Sequence, residues 1–170
     1  GWGPGPPGPP TPSRVWLPPS MPASPSVPVS GAPAADRPDI RALLGRNRLP
    51  PDGLAAHVAS TVVARDGARV VGSAALELYG EVGLLRSVAV DEGVRGRGLG
   101  VRLTRAALEL ARARGLRTVY LLTETAGGFF PRFGFRPVVR GDVDPAALQS
   151  VEFTTACPAR ALVMALDLTA

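Results

Sequence analysis

The segment that most constrains the fold is an apolar strand that leads through a glycine-rich turn into a long helix. The strand covers residues 84–90, and the turn carries glycine at positions 96, 98 and 100, where the helical pattern begins. Glycine lets the backbone approach a ligand closely, and the first turn of a helix leaves N–H groups without partners. These groups and the positive end of the helix dipole favour a bound diphosphate. The segment therefore predicts a nucleotide-like cofactor held through its pyrophosphate.

The spacing of this turn excludes two common nucleotide-binding motifs. A Walker loop ends in Gly-Lys-Ser/Thr, and the chain contains no lysine. A Rossmann fingerprint needs a third glycine and, about 20 positions later, an acidic residue, but Leu103 and Tyr120 stand at these places. The pattern that remains is Arg-x-x-Gly-x-Gly, formed by Arg95, Gly98 and Gly100.

The composition predicts one globular domain without a bound metal. A length of 170 residues, 45% of them hydrophobic, is sufficient for a single domain with its own core. The single cysteine, Cys157, excludes an internal disulfide and predicts a cytoplasmic protein, and one histidine makes a zinc site improbable. No stretch approaches the ~18 apolar residues of a membrane span, so no membrane partner is expected. The net charge of +5 is attributed to arginines around the glycine turn, so no nucleic-acid partner is predicted.

The chain divides into a tail and one folded region. Residues 1–25 are dominated by proline and glycine and are predicted to be disordered, whereas residues 26–170 show globular patterning. In that region we predict helices near 36–44, 52–58, 98–114 and 129–133, and strands at 27–30, 61–64, 69–79, 84–90, 118–123, 135–139 and 160–168. The strands on either side of the long helix are expected to be parallel.

After its Val-Ala-Val strand end, the Arg-x-x-Gly-x-Gly pattern resembles the acetyl-CoA signature of the GNAT acetyltransferase superfamily. The resemblance covers roughly residues 26–170. It implies the GNAT fold, an α/β (α+β) arrangement in which about four helices flank a mixed, mostly antiparallel sheet of about six to seven strands. It further implies that the sheet splays between its fourth and fifth strands and that acetyl-CoA, the co-substrate, lies in the gap. Carried over, the pantetheine arm is held by Val88, Ala89 and Val90, and the pyrophosphate by Arg95, Gly96, Arg97, Gly98, Leu99 and Gly100.

A narrower resemblance rests on short segments on both sides of the glycine turn: Leu84-Leu85-Arg86-Ser87, Thr123-Glu124-Thr125-Ala126, Phe129-Phe130, Gly134-Phe135 and Cys157-Pro158. They look like the arsenic-resistance N-acetyltransferase subgroup, which is similar to the acetyltransferase domain of N-acetylglutamate synthases. The resemblance implies a small-molecule primary amine of amino-acid type as acceptor, with arsenical amino acids in that class. Glu124 departs from the pattern, because threonine is expected there. We expect a monomer or a homodimer.

Pairing geometry supplies two candidate acceptor-site residues independently of the family. In the hairpin at 79–84, Glu77 is predicted to lie opposite Arg86, on the face that carries Val88 and Val90. The guanidinium of Arg86 suits a bidentate grip on a substrate carboxylate. Glu77 could take the ammonium proton as a general base. The alternative is a cross-strand ion pair worth ~0.2–1 kcal/mol without a catalytic part.

The resemblance also assigns roles to strand ends. It implies that the Val90 N–H stabilises the oxyanion, which elsewhere contributes roughly 3 kcal/mol, and the alternative is an ordinary ladder hydrogen bond. Glu124 is a second candidate base or else a solvated loop carboxylate. Thr123 and Thr125 either bind substrate or pantetheine or cap the following helix.

Phe130 occupies the position at which many GNAT enzymes have a tyrosine that acts as general acid. It is predicted to pack in the core or to line the pocket, with Tyr79 as a substitute acid, and His57 is expected at the surface. The main hypothesis is an acetyl-CoA-dependent N-acetyltransferase of an amino-acid-like amine. The alternatives are a catalytically silent acetyl-CoA sensor, favoured by the missing tyrosine, and a peptide N-acetyltransferase.

Overall fold

The computed structural model describes Gly3, residues 27–156 and residues 160–169. Its strands are β1 (Val29–Gly31), β2 (Thr61–Asp66), β3 (Arg69–Tyr79), β4 (Val82–Val90), β5 (Thr118–Thr123), β6 (Arg136–Pro137) and β7 (Leu162–Asp167). The α-helices are α1 (Arg37–Arg46), α2 (Leu54–His57) and α3 (Leu99–Ala113), joined by short 3₁₀ turns and a π-helical turn at Glu152–Ala156. Within these described ranges, no helix is long and apolar enough to span a bilayer. Apart from Gly3, the predicted tail lies outside the described residues, as does Cys157.

The seven strands form one sheet in the order β1-β2-β3-β4-β5-β7-β6. All neighbouring strands are antiparallel except β4 and β5. These two are parallel because α3 returns the chain to the end of the sheet at which β4 begins. This confirms the predicted mixed sheet, the parallel crossover and the GNAT fold.

Helices cover both faces of the sheet. The apolar face of α3, which includes Leu103 and Leu108, packs with Leu76 and Leu85 in the larger core cluster. On the opposite face, the α1 residues Ile40, Leu43 and Leu44 pack with Val63, Val70 and Ala89. The central strands are therefore buried on both sides, which explains the nearly continuous apolar sequence of β3 and β4.

The parallel pair is short, and this opens the sheet. Only Val82–Leu84 of β4 pair with Thr118–Tyr120 of β5. Beyond these residues β4 continues to Val90 and β5 continues to Thr123 with no pairing between them among the described residues. The predicted splay between the fourth and fifth strands is thereby confirmed.

The register of the β3–β4 hairpin is shifted by two residues from the predicted register. Gly80 and Glu81 form the turn, so Tyr79 pairs with Val82 and Glu77 pairs with Leu84, not with Arg86. A shift of two residues preserves the side-chain alternation. Glu77 and Arg86 still share one face of the sheet, as diagonal rather than direct neighbours.

A β-bulge at Ser87 overturns the prediction that Arg86, Val88 and Val90 share a face. Between two successive paired positions, β4 has one residue more than β3, and Ser87 adopts a left-handed φ of 56°. Ala89 consequently packs in the cluster beneath α1, whereas Val88 and Val90 pack against the α3 cluster. The prediction was wrong because one inserted residue reverses the alternation of every side chain that follows.

Candidate active site

The diverging ends of β4 and β5 enclose a cleft of about 520 Å³. Its walls come from the two strands, the loop after β5, the loop between α1 and α2, and the segment around Glu152. The lining residues include Asn47, Arg48, Leu49, Pro50, Leu85, Arg86, Ser87, Val88, Arg95, Thr123, Glu124, Thr125, Phe130 and Glu152. An opening between two strands exposes backbone groups that a sheet would otherwise pair, so an extended ligand can hydrogen-bond to them.

The glycine turn adjoins this cleft and has the geometry expected for an anion-binding loop. Gly96 and Gly98 adopt left-handed φ angles of 83° and 71°. At either residue, an added Cβ would have no heavy atom within 4 Å apart from those of the adjacent residues. Gly98 is the N-cap of the 15-residue helix α3, and the first intrahelical N–H donor is that of Arg102. The N–H groups of the preceding three residues therefore have no helical partner. A diphosphate fits this cradle, since backbone donors and the helix dipole converge there.

The side chains of three other residues of the turn differ in their burial and in their partners. Arg95 lines the cleft, and its Nη2 donates to Asn47 Oδ1 at 2.6 Å. Leu99 is the first residue of α3, and its side chain is buried in the core. Any contact from Leu99 to a phosphate must therefore come from its backbone. Arg97 is exposed in the turn.

The backbone of Val90 faces the open side of β4. The N–H of the next residue, Asp91, donates to Val71 O of β3 at 2.7 Å. Because N–H groups alternate sides along a strand, the Val90 N–H points away from β3, toward the gap. Its carbonyl points the same way and accepts a hydrogen bond from Arg95 Nε at 3.1 Å. Ala89 pairs with Ser73 of β3. Its backbone N–H and carbonyl point toward β3, opposite to those of Val90.

Arg86 and Glu77 form a buried ion pair beside the cleft. Arg86 Nη1 lies 2.8 Å from Glu77 Oε2, and each side chain is only 1% exposed. Arg86 also donates from Nη2 to the Pro50 carbonyl at 3.1 Å and from Nε to Ser87 Oγ at 3.2 Å. The guanidinium thus ties the loop between α1 and α2 to the sheet. The structure thus has the ion pair between Glu77 and Arg86 that was the alternative to substrate binding. The Arg86 guanidinium has more hydrogen-bond partners than a simple cross-strand pair provides.

The carboxylate of Glu77 is enclosed by polar groups and does not line the cleft. Tyr79 Oη donates to Glu77 Oε1, and His57 Nε2 lies 3.7 Å from the same oxygen. The Ser150 hydroxyl also hydrogen-bonds to Glu77 and accepts the Glu152 N–H at 3.1 Å. Neither Glu77 nor Tyr79 is therefore placed to touch a ligand in the cleft directly.

Burial and hydrogen bonding have opposite effects on this cluster. Burial would raise the pKa of Glu77, but hydrogen bonds from Ser150, Tyr79 and Arg86 and the charge of Arg86 lower its pKa below the ordinary value. Burial lowers the pKa of His57, although the Glu77 charge acts in the other direction. Glu77 is thus held as a carboxylate, which does not favour its predicted role as a base. His57 is partly buried against it rather than at the surface.

Residues 57–137, which contain the cleft strands and the glycine turn, match the family model of the acetyltransferase (GNAT) domain. The fold of this chain is the GNAT fold. The match extends from the end of α2 through β6.

Two curated relatives of this chain are similar over part of their length. Glucosamine 6-phosphate N-acetyltransferase 1 of Oryza sativa subsp. japonica is 39% identical over 74 residues, covering 43% of this chain and 45% of that protein. Amino-acid acetyltransferase of Mycobacterium tuberculosis is 40% identical over 72 residues, covering 41% of this chain and 40% of that protein. The chain thus spans less than half the length of each relative.

Solved structures match a larger part of the chain. Rv2747 from Mycobacterium tuberculosis, in complex with CoA and NLQ, has a TM-score of 0.69 at 26% identity and covers 82% of this chain and 98% of that one. N-acetylglutamate synthase from Neisseria gonorrhoeae, complexed with CoA and N-acetyl-glutamate, has a TM-score of 0.70 at 19% identity, covering 83% of this chain and 35% of that one. The similarity to N-acetylglutamate synthases is confirmed at the level of the fold, and the arsenic-resistance subgroup stays a prediction.

The cleft brings together the remaining predicted residues. Thr123, Glu124, Thr125 and Phe130 all line it. Thr123 Oγ1 accepts the N–H of Ala126 at 2.9 Å, within the loop that precedes the helical turn at Phe130–Phe133. That turn has no side-chain cap, so the predicted capping alternative is not found. The Glu124 carboxylate is 48% exposed and lies 3.2 Å from Arg160. Phe130 is 6% exposed and contacts other phenylalanine rings, so it both packs and lines the pocket.

The sequence interpretation missed two cleft segments of this GNAT domain. One is the loop at 47–50, which brings Arg48 and the Pro50 carbonyl to the cleft. The other contains Glu152, a carboxylic residue that is only 5% exposed. Neither segment has a recognisable motif. The Asn47-Arg48 pair after an amphipathic helix is a helix-end signal, but it does not indicate which side of the sheet the loop covers.

Tyr79 offers a spectroscopic test of the buried cluster. Burial, together with the hydrogen bond to Glu77 and the charge of Glu77, raises the pKa of Tyr79 to about 12. A raised phenol pKa contributes stability that is present below the ordinary value and is lost as the pH rises through the folded-state value. Phenolate absorbance should show a transition near pH 12 that is missing in Tyr79→Phe. If the transition persisted in this variant, Tyr79 would not be the titrating group and the cluster would be contradicted.

Proposed function

We propose that this GNAT protein transfers the acetyl group of acetyl-CoA to the primary amine of an amino-acid-like small molecule. The observation that carries the proposal is the open cleft between β4 and β5 beside the left-handed glycine turn. Acetyl-CoA would lie across the gap, with its pyrophosphate on residues 95–100 and its pantetheine arm along Val88 and Val90. The amino-acid acetyltransferase among its relatives supports the acceptor class.

The chemistry proposed for the cleft is direct transfer. The amine attacks the thioester carbon, a C–N bond forms, the C–S bond breaks, and coenzyme A leaves as a thiolate that takes up a proton. The Val90 N–H points into the gap, which supports a role in stabilising the oxyanion formed in this step. A preorganised donor of this kind contributes roughly 3 kcal/mol in other acyl transfers.

We assign the proton transfer to the cleft rather than to the buried cluster. Glu124 lines the cleft at the end of β5 and is partly open to solvent, so it can accept the ammonium proton directly or through water. Glu77 is enclosed, and we propose that it holds Arg86 in place. Arg86 in turn positions the Pro50 loop that forms the acceptor wall.

The resemblance to the arsenic-resistance subgroup narrows the range of possible acceptor molecules. Its segments at 123–126 and 129–130 line or adjoin the cleft, which supports an arsenical or phosphinic amino acid as a member of the acceptor class. Phe130 favours a second candidate, the catalytically silent acetyl-CoA sensor, because no hydroxyl stands at the position from which tyrosine protonates the thiolate in many GNAT enzymes.

A thiol-release assay tests the proposed function. The full chain would be incubated with acetyl-CoA and a panel of amino acids, arsenical and phosphinic analogues, polyamines, short peptides and glucosamine 6-phosphate, while free thiol is measured. We expect turnover that depends on an amino-acid-like acceptor and is confirmed by mass of the N-acetyl product. Tight acetyl-CoA binding with no turnover on any amine would support the sensor, and turnover on peptides alone would support the peptide acceptor.

A further inference from the structure

Three arginines line the cleft, and they differ in their partners. Arg86 donates to Glu77, Ser87 and Pro50. Arg95 donates to the Val90 carbonyl and to Asn47. Arg48 is exposed and also lines the cleft. Within residues 27–156 and 160–169, no hydrogen bond or ion pair of its guanidinium is found, so its donors are available to a ligand.

Arg48 also occupies a backbone position that does not suit an arginine. It follows α1 as the residue after the C-cap, with a left-handed φ of 56°. Leu49 N donates to Leu44 O at 2.9 Å and Arg48 N donates to Gly45 O at 3.2 Å, which is the hydrogen-bond pattern of a Schellman motif. Glycine is the usual residue at this position, because a Cβ is unfavourable there. A residue with a long cationic side chain therefore weakens this helix end, which is expected where the side chain has a function.

We propose that Arg48 binds the carboxylate of the acceptor and makes the cleft selective for amines that carry one. The proposal rests on the proposed function. An amino acid presents an ammonium and a carboxylate close together, and the cleft offers both complementary charges, with Glu124 for the ammonium and Arg48 for the carboxylate. The guanidinium fork matches a carboxylate in two parallel hydrogen bonds.

Charge-matched variants test this role. Arg48→Gln removes the cation and keeps the strained backbone, whereas Arg41→Gln removes an exposed cation from the body of α1, outside the cleft. We expect Arg48→Gln to raise KM about 10-fold or more for amino acids, with little change for the matching amines that lack the carboxylate. Arg41→Gln should leave both values unchanged, and the affinity for acetyl-CoA should be unchanged in both variants.

Arg48→Gly separates a binding role from a structural one. Glycine relieves the left-handed strain, so the melting temperature should stay constant or rise while the preference for carboxylate-bearing acceptors is lost. If the wild type acetylates amino acids and the Arg48 variants keep the same preference for carboxylate-bearing acceptors, the inference is overturned and the proposed function stays intact. Absence of turnover on every amine by the wild type would overturn both.

Discussion

Replacement of Arg86 by methionine is expected to destabilise the folded protein by about 3–5 kcal/mol, because it leaves a buried carboxylate without its counter-ion. Glu77 has no exposed surface, and Arg86 supplies its one charged donor at 2.8 Å among the described residues. The substitution also removes the hydrogen bond that holds the Pro50 carbonyl. The loop between α1 and α2 should loosen, so KM for the acceptor is expected to rise while the affinity for acetyl-CoA is retained.

Urea unfolding of three variants separates burial from charge. Arg117→Met breaks the Arg117–Glu81 pair, whose side chains are 65% and 70% exposed, and should cost at most about 1 kcal/mol. The double variant Glu77→Leu/Arg86→Met removes both buried charges and should recover much of the loss. Equal effects of Arg86→Met and Arg117→Met would contradict the buried pair that the structure shows.

The same pair predicts acid sensitivity. Because the pKa of Glu77 is lowered in the folded state, the stability it contributes is present above the ordinary carboxyl pKa and is lost as the pH falls through the folded-state value. His57 has a lowered pKa as well, so its contribution is also lost on acidification, beginning below its ordinary value of 6.5. In Arg86→Met the pKa of Glu77 should rise, so urea unfolding should show a smaller loss of stability on acidification than in the wild type.

The second large effect is expected from Gly98→Asp, which should weaken acetyl-CoA binding by about 100-fold or more, since the new carboxylate repels the diphosphate. Gly98 is the N-cap of α3 with a left-handed φ of 71°, and no heavy atom lies within 4 Å of its Cβ position. Aspartate tolerates this conformation better than most residues and is favoured near a helix N-terminus. Folding should therefore be retained while the anion site is lost.

Gly67→Asp provides the matched control. Gly67 lies in the turn between β2 and β3 with a φ of 62°, and the space around its Cβ position is also open. This variant has the same new charge and a similar backbone strain away from the cleft. It should bind acetyl-CoA as the wild type does, and an equal loss of affinity in both variants would mean that the effect is not local to the glycine turn.

The sequence predicted the fold where a local signal was strong. The glycine turn and the periodicity of α3 identified the central crossover, and Gly115 follows the end of that helix with a φ of 76°. Once the long helix and its flanking strands were assigned, the handedness rule was enough to predict the parallel pair and therefore the open edge.

The acceptor side could not be predicted in the same detail. The bulge at Ser87 has no sequence signature, because a non-glycine residue adopts the left-handed conformation there. The hairpin register depended on where the turn is centred, and the hydrophobic pattern fits both the predicted and the observed position, since they differ by an even shift. Arg48 and Glu152 reach the cleft through loops whose placement depends on tertiary packing.

Calorimetric titration of the wild-type chain with acetyl-CoA, and separately with S-acetyl-pantetheine, tests most directly whether residues 95–100 hold the diphosphate. We predict one acetyl-CoA per chain and an affinity for S-acetyl-pantetheine, which lacks the diphosphate, that is about 100-fold weaker or undetectable. Folded protein that takes up no acetyl-CoA, or that binds both compounds equally well, would contradict the account.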